Sequence, residues 1–360
     1  MTKSNPPVSD RAWLEVDLAA LLRNARHFQS LIAAPLLPMV KANGYGLGAV
    51  PVARALEPAD PWGYGVATPA EGAELRQGGI TRPVVVFTPL SPGAIDALRS
   101  HRLIPVIGDL DALDAWTAQD GGPFHVEIDT GLSRAGFHWR DREMLSALGT
   151  RLAAASGWQG IFTHFHSADT DPVATREQAE RFESVLAALP GRPPLVHLSA
   201  SAGAQGGAEY GADLARPGIF LYGGRAGALT PEPVVRLCAR VIALRRLRAG
   251  DTVSYGATAT VESDTTIATL AIGYADGVPR TLASLGLVEL NGAILRIMGR
   301  VTMDMLMVDA GDAPVRLGDA GVLFGGRVSL DDQAARAGTI SYELLTSISP
   351  RVERRYRGVS

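Results

Sequence analysis

The chain predicts an α/β fold: an N-terminal (β/α)8 TIM-type barrel followed by a C-terminal mostly-β domain. Two observations carry that expectation. From about residue 36 to 218, short apolar runs alternate eight times with amphipathic helical stretches, the pattern of parallel barrel strands joined by helices. After Tyr222-Gly223-Gly224 the alternation stops, and residues 233–325 become rich in Val, Thr, Ile and Gly at strand spacing.

Taken in order, residues 1–10 (MTKSNPPVSD) are polar and Pro-containing and read as a disordered tail. AWLEVDL (12–18) is a strand outside the barrel count, with the second domain as its expected partner. The barrel strands are LLPMV (36–40), GYGVA (63–67), VVVF (84–87), IPVI (104–107), FHVEID (124–129), GIFTHF (160–165), LVHLS (195–199) and DLARPG (213–218). Helical spacing falls between them at Ala70–Gln77, Ser91–Arg99, Asp109–Thr117, Arg142–Ala155 and Thr175–Leu189. The barrel is assigned to residues 11–230 and the β domain to 231–360, where VVRLCARVIALRRL, DTVSYGATATV, TTIATLAIGY, AILRIMGRV and DMLMVDA are the strand candidates. One short helix is expected afterwards, over Leu330–Ala337 or Tyr342–Ile348.

Composition narrows the function classes. With 360 residues, 46% hydrophobic and 20% charged, the chain can bury a large core. A net charge of −3 supplies no basic field for nucleic acid or an anionic membrane. No apolar run approaches the roughly 20 residues of a membrane span. The polar start is not a signal peptide and Cys238 stands alone, so a reducing cytoplasm is expected. Seven histidines lie scattered without ligand spacing, and no metal site is expected.

Lysine usage is the sharpest chemical signal. Of 34 Lys and Arg residues only Lys3 and Lys41 are lysine, which leaves 32 arginines. A guanidinium cannot be deprotonated in a protein, whereas an ammonium can. Lys41, in LLPMVKANGYGLG, therefore marks a position that needs an amine able to lose its proton, and Schiff-base chemistry is the leading reason.

Barrel enzymes carry their active sites at the C-terminal ends of the strands. Polar residues fall there: Lys41 after the first strand, Arg134 after the fifth, His164 at the end of the sixth, Ser201 after the seventh, Arg216 and Gly218 on the eighth. Each also has a plain structural explanation as a solvated loop lysine, a surface ion-pair partner or a core histidine. In RPGIFLYGG the backbone amides of Gly218 and Ile219 sit beside a strand end, a setting suited to phosphate. No P-loop and no dinucleotide glycine turn is present.

Together these motifs resemble the alanine racemases, over nearly the whole chain from Trp13 to Tyr356. MVKANGYGLG (39–48), DTGLSRAG (129–136), FTHFHSAD (162–169), RPGIFLYGG (216–224), VSYGAT (253–258), IGYADGVPR (272–280), GRVTMDM (299–305) and TISYELLTSISPRVERRY (339–356) carry the resemblance. It implies pyridoxal 5'-phosphate as cofactor, held covalently by Lys41, with Tyr45, Ser201, Gly218, Ile219 and Tyr342 on its phosphate. His164 would lie against the ring, and Arg216 would donate to the ring nitrogen. Arg134 and the backbone amide of Met303 would bind the substrate carboxylate. Lys41 and Tyr255 would be the two bases, Tyr255 coming from the β domain of the partner subunit, so the site requires a homodimer. The implied activity interconverts L- and D-alanine and supplies D-alanine for peptidoglycan.

Physics agrees with those roles. Racemisation removes a proton from one face of Cα and returns one to the other, so two groups must flank it. Free Tyr and Lys ionise near about 10 and 10.4, so both need tuning by neighbours; His164 and Arg216 are the candidates for tuning Tyr255. Arg216 cannot surrender a proton to the ring nitrogen, which keeps the ring a weak electron sink.

The chain departs from the family at two places. Glu127 stands where relatives typically carry a carbamylated lysine, and is expected to orient Arg134 in its stead as a permanent anion, its chain being about 3–4 Å shorter. Ala200, in HLSASAG, and Ala257, after VSYG, replace the Asn and Arg common in the family and reshape the pocket. The alternatives are a racemase of serine or of several small amino acids, a related diamino-acid decarboxylase, and a non-catalytic pyridoxal-phosphate-binding barrel protein. The last lacks a β domain.

Overall fold

The structure, a computed structural model, describes residues 11–119 and 121–358; the tail over residues 1–10 lies outside the described residues. Among the described residues the chain divides into two compact units, one over 21–221 with 225–231, the other over 11–20, 222–224 and 232–358.

In the first unit six of the eight apolar runs are regular strands. Tyr64–Val66, Val84–Pro89, Ile104–Ile107, Phe124–Asp129, Trp158–Phe162 and Leu195–His197 are hydrogen-bonded in that order, all parallel. The other two, over 36–40 and 213–218, are not regular strands. Isolated parallel bridges hold them, Leu36 to Ala215, Met39 to Gly65 and Ala200 to Arg216, and close the ring. Prolines account for the broken ladder, because Pro38 and Pro217 have no N–H to contribute. Their carbonyls still serve: Gly65 donates to Pro38 and Met39 donates to Pro217.

Barrel helices begin where local chemistry starts them. Pro69–Gln77 opens on Thr68, Leu110–Thr117 on Asp109, Arg142–Ala154 on Asp141 and Pro172–Ala188 on Asp171, each side chain accepting from the first turn. Leu37, Val85, Ile104, Val106, Phe162 and Leu214 pack together as buried core. Because every strand is buried and parallel, all eight C-terminal ends point one way.

The second unit is mostly β. Val235–Leu247 is its spine, pairing antiparallel with Ala12–Asp17, Ala320–Phe324 and Thr265–Leu270. The first strand, Ala12–Asp17, also runs parallel to Glu353–Arg357, near the end of the chain. Trp13 lies between the guanidiniums of Arg240 and Arg355, at 4.7 and 4.6 Å. Two short helices occur where one was expected, Leu330–Arg336 and Ser341–Thr346. Three strands escaped the sequence pattern: Leu287–Leu290, Ala320–Phe324 and Glu353–Arg357. Among the described residues no helix is long and apolar enough to cross a membrane.

Candidate active site

Lys41 follows the first barrel strand and starts a tight turn. Ala42, Asn43, Gly44 and Tyr45 are all left-handed, with φ of 51°, 54°, 61° and 54°. Burial, then the charge of Arg134, lowers the Lys41 pKa from its ordinary value; Glu71 opposes the shift. An amine in that setting gives up its proton more readily than a solvated lysine.

Arg134 sits on a turn built by Asp129, whose carboxylate accepts from Gly131 and Ser133 at 2.9 and 3.0 Å. Its side chain is 61% exposed, and its Nη2 lies 3.9 Å from Oε1 of Glu127 on the adjacent strand. Glu127 itself is buried. Burial pushes its carboxyl up to about 7, against the pull of Arg134 and Arg216 and with a further push from Asp129. Burial therefore works against the permanent anion expected at this position and favours the protonated carboxyl.

Arg216 is fully enclosed in the barrel. Its Nη1 donates to the His197 carbonyl at 2.9 Å and to His197 Nδ1 at 2.8 Å; its Nη2 donates to Thr163 and Leu198 carbonyls at 2.8 and 3.0 Å. A guanidinium can only donate, so His197 Nδ1 accepts and its Nε2–H donates to His125 Nδ1 at 2.9 Å. Burial lowers Arg216 to about 9, still cationic near neutrality. His164, after the sixth strand, is driven down to about 3 by burial and by Arg216, Arg134 and Lys41, and is neutral under working conditions. All four follow the C-terminal ends of barrel strands or lie on the eighth run, and the charges of Lys41, Arg134 and Arg216 all act on His164.

An anion cradle completes the rim. Ser201 Oγ accepts from Gly218 N–H at 2.8 Å and from Phe220 N–H at 3.4 Å. A Cβ on Gly218 would collide with the Tyr45 hydroxyl, so the missing side chain is what lets Tyr45 approach. Two hydroxyls and the Gly218–Ile219 backbone thus lie together at one strand end, with the Gly218 N–H bonded to Ser201.

Tyr255, Met303 and Tyr342 belong to the second unit. Tyr255 is 72% exposed on a strained turn flanked by Ser254 (φ 69°) and Ala257 (φ 51°). Ser254 anchors the turn by donating to the Arg300 carbonyl at 2.8 Å. Tyr255, Tyr274, Arg280, Arg300 and Met303 line an open depression of about 640 Å³. Tyr342 lies in the helix Ser341–Thr346. Among the described residues no His, Cys, Asp or Glu cluster could hold a metal ion.

Sequence reasoning missed three supporting residues. Glu71 was detectable as the last member of a capping box, Thr68-Pro-Ala-Glu71. Gln178 is fully buried and donates to Thr130 Oγ1 and the His164 carbonyl at 3.1 and 3.2 Å, joining the Arg134 turn to the His164 strand end. His197 looks like any core histidine in the sequence.

Comparison with known proteins agrees with this geometry. Residues 16–226 match the family described as alanine racemase, N-terminal domain, and residues 234–356 its C-terminal domain. The alanine racemase of Desulforamulus reducens is 38% identical over 96% of this chain and 99% of its own. Alanine racemase 2 of Bacillus subtilis is 35% identical over 96% of this chain and 94% of its own. Among solved structures, the alanine racemase from Streptomyces lavendulae superposes with a TM-score of 0.90 at 32% identity, covering 99% of both chains. That from Bartonella henselae, described with covalently bound pyridoxal phosphate, has a TM-score of 0.90 at 30% identity over 96% of this chain and 99% of its own. With both domains matched, and relatives above 30% identity along nearly its full length, the chain belongs to the alanine racemase family of pyridoxal-phosphate-dependent isomerases.

Proposed function

We propose that this alanine racemase exchanges the Cα proton of alanine between two bases, Lys41 and Tyr255, with Tyr255 supplied by the partner subunit of a homodimer. The observation that carries the proposal is the convergence of a deprotonatable Lys41, a neutral His164, a buried cationic Arg216 and an anion cradle at one barrel rim. The cradle tests the cofactor: Tyr45, Ser201, Gly218 and Ile219 suit a phosphate, and Lys41 suits an aldehyde carbon, so pyridoxal phosphate fits. Tyr342 is the further phosphate ligand. Bound there, the cofactor supplies the electron sink that acidifies Cα.

The protein does the rest. Lys41 moves a proton on one face and Tyr255 on the other. Arg134 and the amide of Met303 hold the carboxylate, which fixes Cα between the bases. His164 stays neutral against the ring. Arg216, pinned by three carbonyls and His197, donates to the ring nitrogen without yielding its proton. Glu127 orients Arg134 when ionised. A broad, exposed Tyr255 on a strained turn favours an acceptor outside its own chain. The lone buried Cys238 suits a reducing cytoplasm, and D-alanine for peptidoglycan is the role the family supports.

A panel of alanine, serine and lysine enantiomers, read by chiral chromatography, tests the substrate, and borohydride trapping with mass mapping tests Lys41. Racemisation of alanine, an adduct on Lys41, and loss of most Cα exchange from one enantiomer in Tyr255→Phe are expected. An indifferent Tyr255→Phe would leave only a cofactor carrier.

A further inference from the structure

Four consecutive left-handed residues after Lys41 are costly, about 1–2 kcal/mol for each that is not glycine. Something must hold them. Locally, Gly44, Gly46 and Gly48 donate to the Val40, Ala42 and Asn43 carbonyls, each at 2.8 Å, and Asn43 Oδ1 accepts from Ala49 at 3.0 Å. A further tether comes from another segment. Glu71 Oε1 accepts the Ala42 N–H at 2.7 Å, while its Oε2 accepts Ala67 and Thr68 N–H at 2.6 and 3.2 Å. Capping the helix Pro69–Gln77 uses only the Thr68 amide. The bond to Ala42 does nothing for that helix; it ties the first amide after Lys41 to the end of the neighbouring barrel strand, Tyr64–Val66.

We propose that Glu71 is a positioning residue for Lys41: its carboxylate pins the left-handed turn that aims the amine and places an anion beside it. The charged and titratable groups facing that amine are Arg134, Glu71 and His164. Arg134 disfavours the ammonium and Glu71 favours it, so Glu71 sets both direction and charge. The inference rests on Lys41 being the cofactor-binding amine.

The chain's two lysines make the test clean. Full-length protein freed of cofactor is acylated with trace acetic anhydride across a pH series, and mass spectrometry reads Lys41 against Lys3 as internal reference. Glu71→Gln is expected to move the Lys41 midpoint to lower pH, since burial and Arg134 are then unopposed. Glu71→Asp keeps the charge but withdraws from Ala42; its midpoint stays near wild type while kcat of the loaded enzyme falls about 10-fold or more with little change in KM. Thr68→Val, which breaks only the helix cap, is expected to lower stability and change neither readout. Unaltered Lys41 profiles in Glu71→Gln with wild-type kcat in Glu71→Asp overturn the proposal, as does a Thr68→Val that reproduces both effects. If Glu71→Gln does not fold, wild-type kcat in Glu71→Asp is decisive by itself. A wild-type Lys41 that takes up no pyridoxal phosphate would instead remove the enzymatic reading, while the acylation profiles would still report on Glu71.

Discussion

A carboxyl beside two arginines ordinarily ionises early, yet Glu127 holds its proton to about 7 because burial outweighs both charges. Two measurable consequences follow from that one side chain. Its folded pKa lies above the ordinary value of 4.5. The folded protein therefore keeps the proton longer than the unfolded chain, and ionisation subtracts stability as pH rises through that interval. The loss is complete above about pH 7 and amounts to about 3 kcal/mol. Glu127→Gln cannot ionise, so it should match wild type in denaturant unfolding near about pH 5 and exceed it near about pH 8. Equal stability at both would mean that the carboxyl is not desolvated. In turnover the sign reverses. If the ionised form orients Arg134, wild-type kcat/KM for alanine rises with pH through about 7, and Glu127→Gln stays at the low-pH level throughout. A wild-type profile retained in Glu127→Gln would show that Arg134 needs no anion there.

Elements matter because they hold such residues still, and the turn carrying Met303 is a case in point. Tyr274 and Ala275 donate to the carbonyls of Thr302 and Met303 at 2.9 and 3.0 Å. Asp276, buried beneath, receives both Nη groups of Arg11 at 3.0 Å and also the Gly273 N–H at 2.9 Å. Arg351 adds a second cation at 3.4 Å. Asp276→Asn keeps the shape and removes the buried anion, leaving Arg11 and Arg351 to share only the half-exposed Asp304, at a cost of about 2–3 kcal/mol. Because Met303 is displaced rather than a base lost, KM for alanine should rise while kcat changes less, and carboxylate inhibitors such as propionate should bind more weakly. An unchanged KM in a destabilised variant would detach this turn from substrate binding. Elements of this kind were unevenly legible. Barrel strands announce themselves because both faces are buried, which makes apolar runs, and polar residues at their ends stand out by contrast. Glu353–Arg357 did not, since ERRYR is almost wholly charged and sits at the edge of its sheet. The left-handed conformation of Ala42 and Tyr45 has no local signal in residue type, and one of the contacts at that turn, Glu71 to the Ala42 N–H, comes from a residue distant in sequence. Glu127 was legible as a residue and not as a charge, since burial in three dimensions sets its ionisation.

At the scale of the molecule, the proposed division of labour puts Lys41 in one compact unit and Tyr255 in the other, with the working pair drawn from two different chains. That arrangement makes a counting prediction. Lys41→Ala and Tyr255→Phe homodimers should each be nearly inactive, because every site lacks a base. In a mixed dimer one site receives both defects and the other receives neither: the barrel of the Tyr255→Phe chain keeps Lys41, and the Lys41→Ala chain brings an intact Tyr255. Random reassociation makes half of the dimers mixed, each with one sound site of two, so mixing equal amounts should restore about a quarter of wild-type activity. Unfolding and refolding the mixture, or coexpression with two affinity tags, gives the exchange; the unfractionated mixture should read about a quarter of wild type and the doubly tagged fraction about half. Sites completed within a single chain would give no recovery at any mixing ratio, because each chain would carry its own defect into its own site.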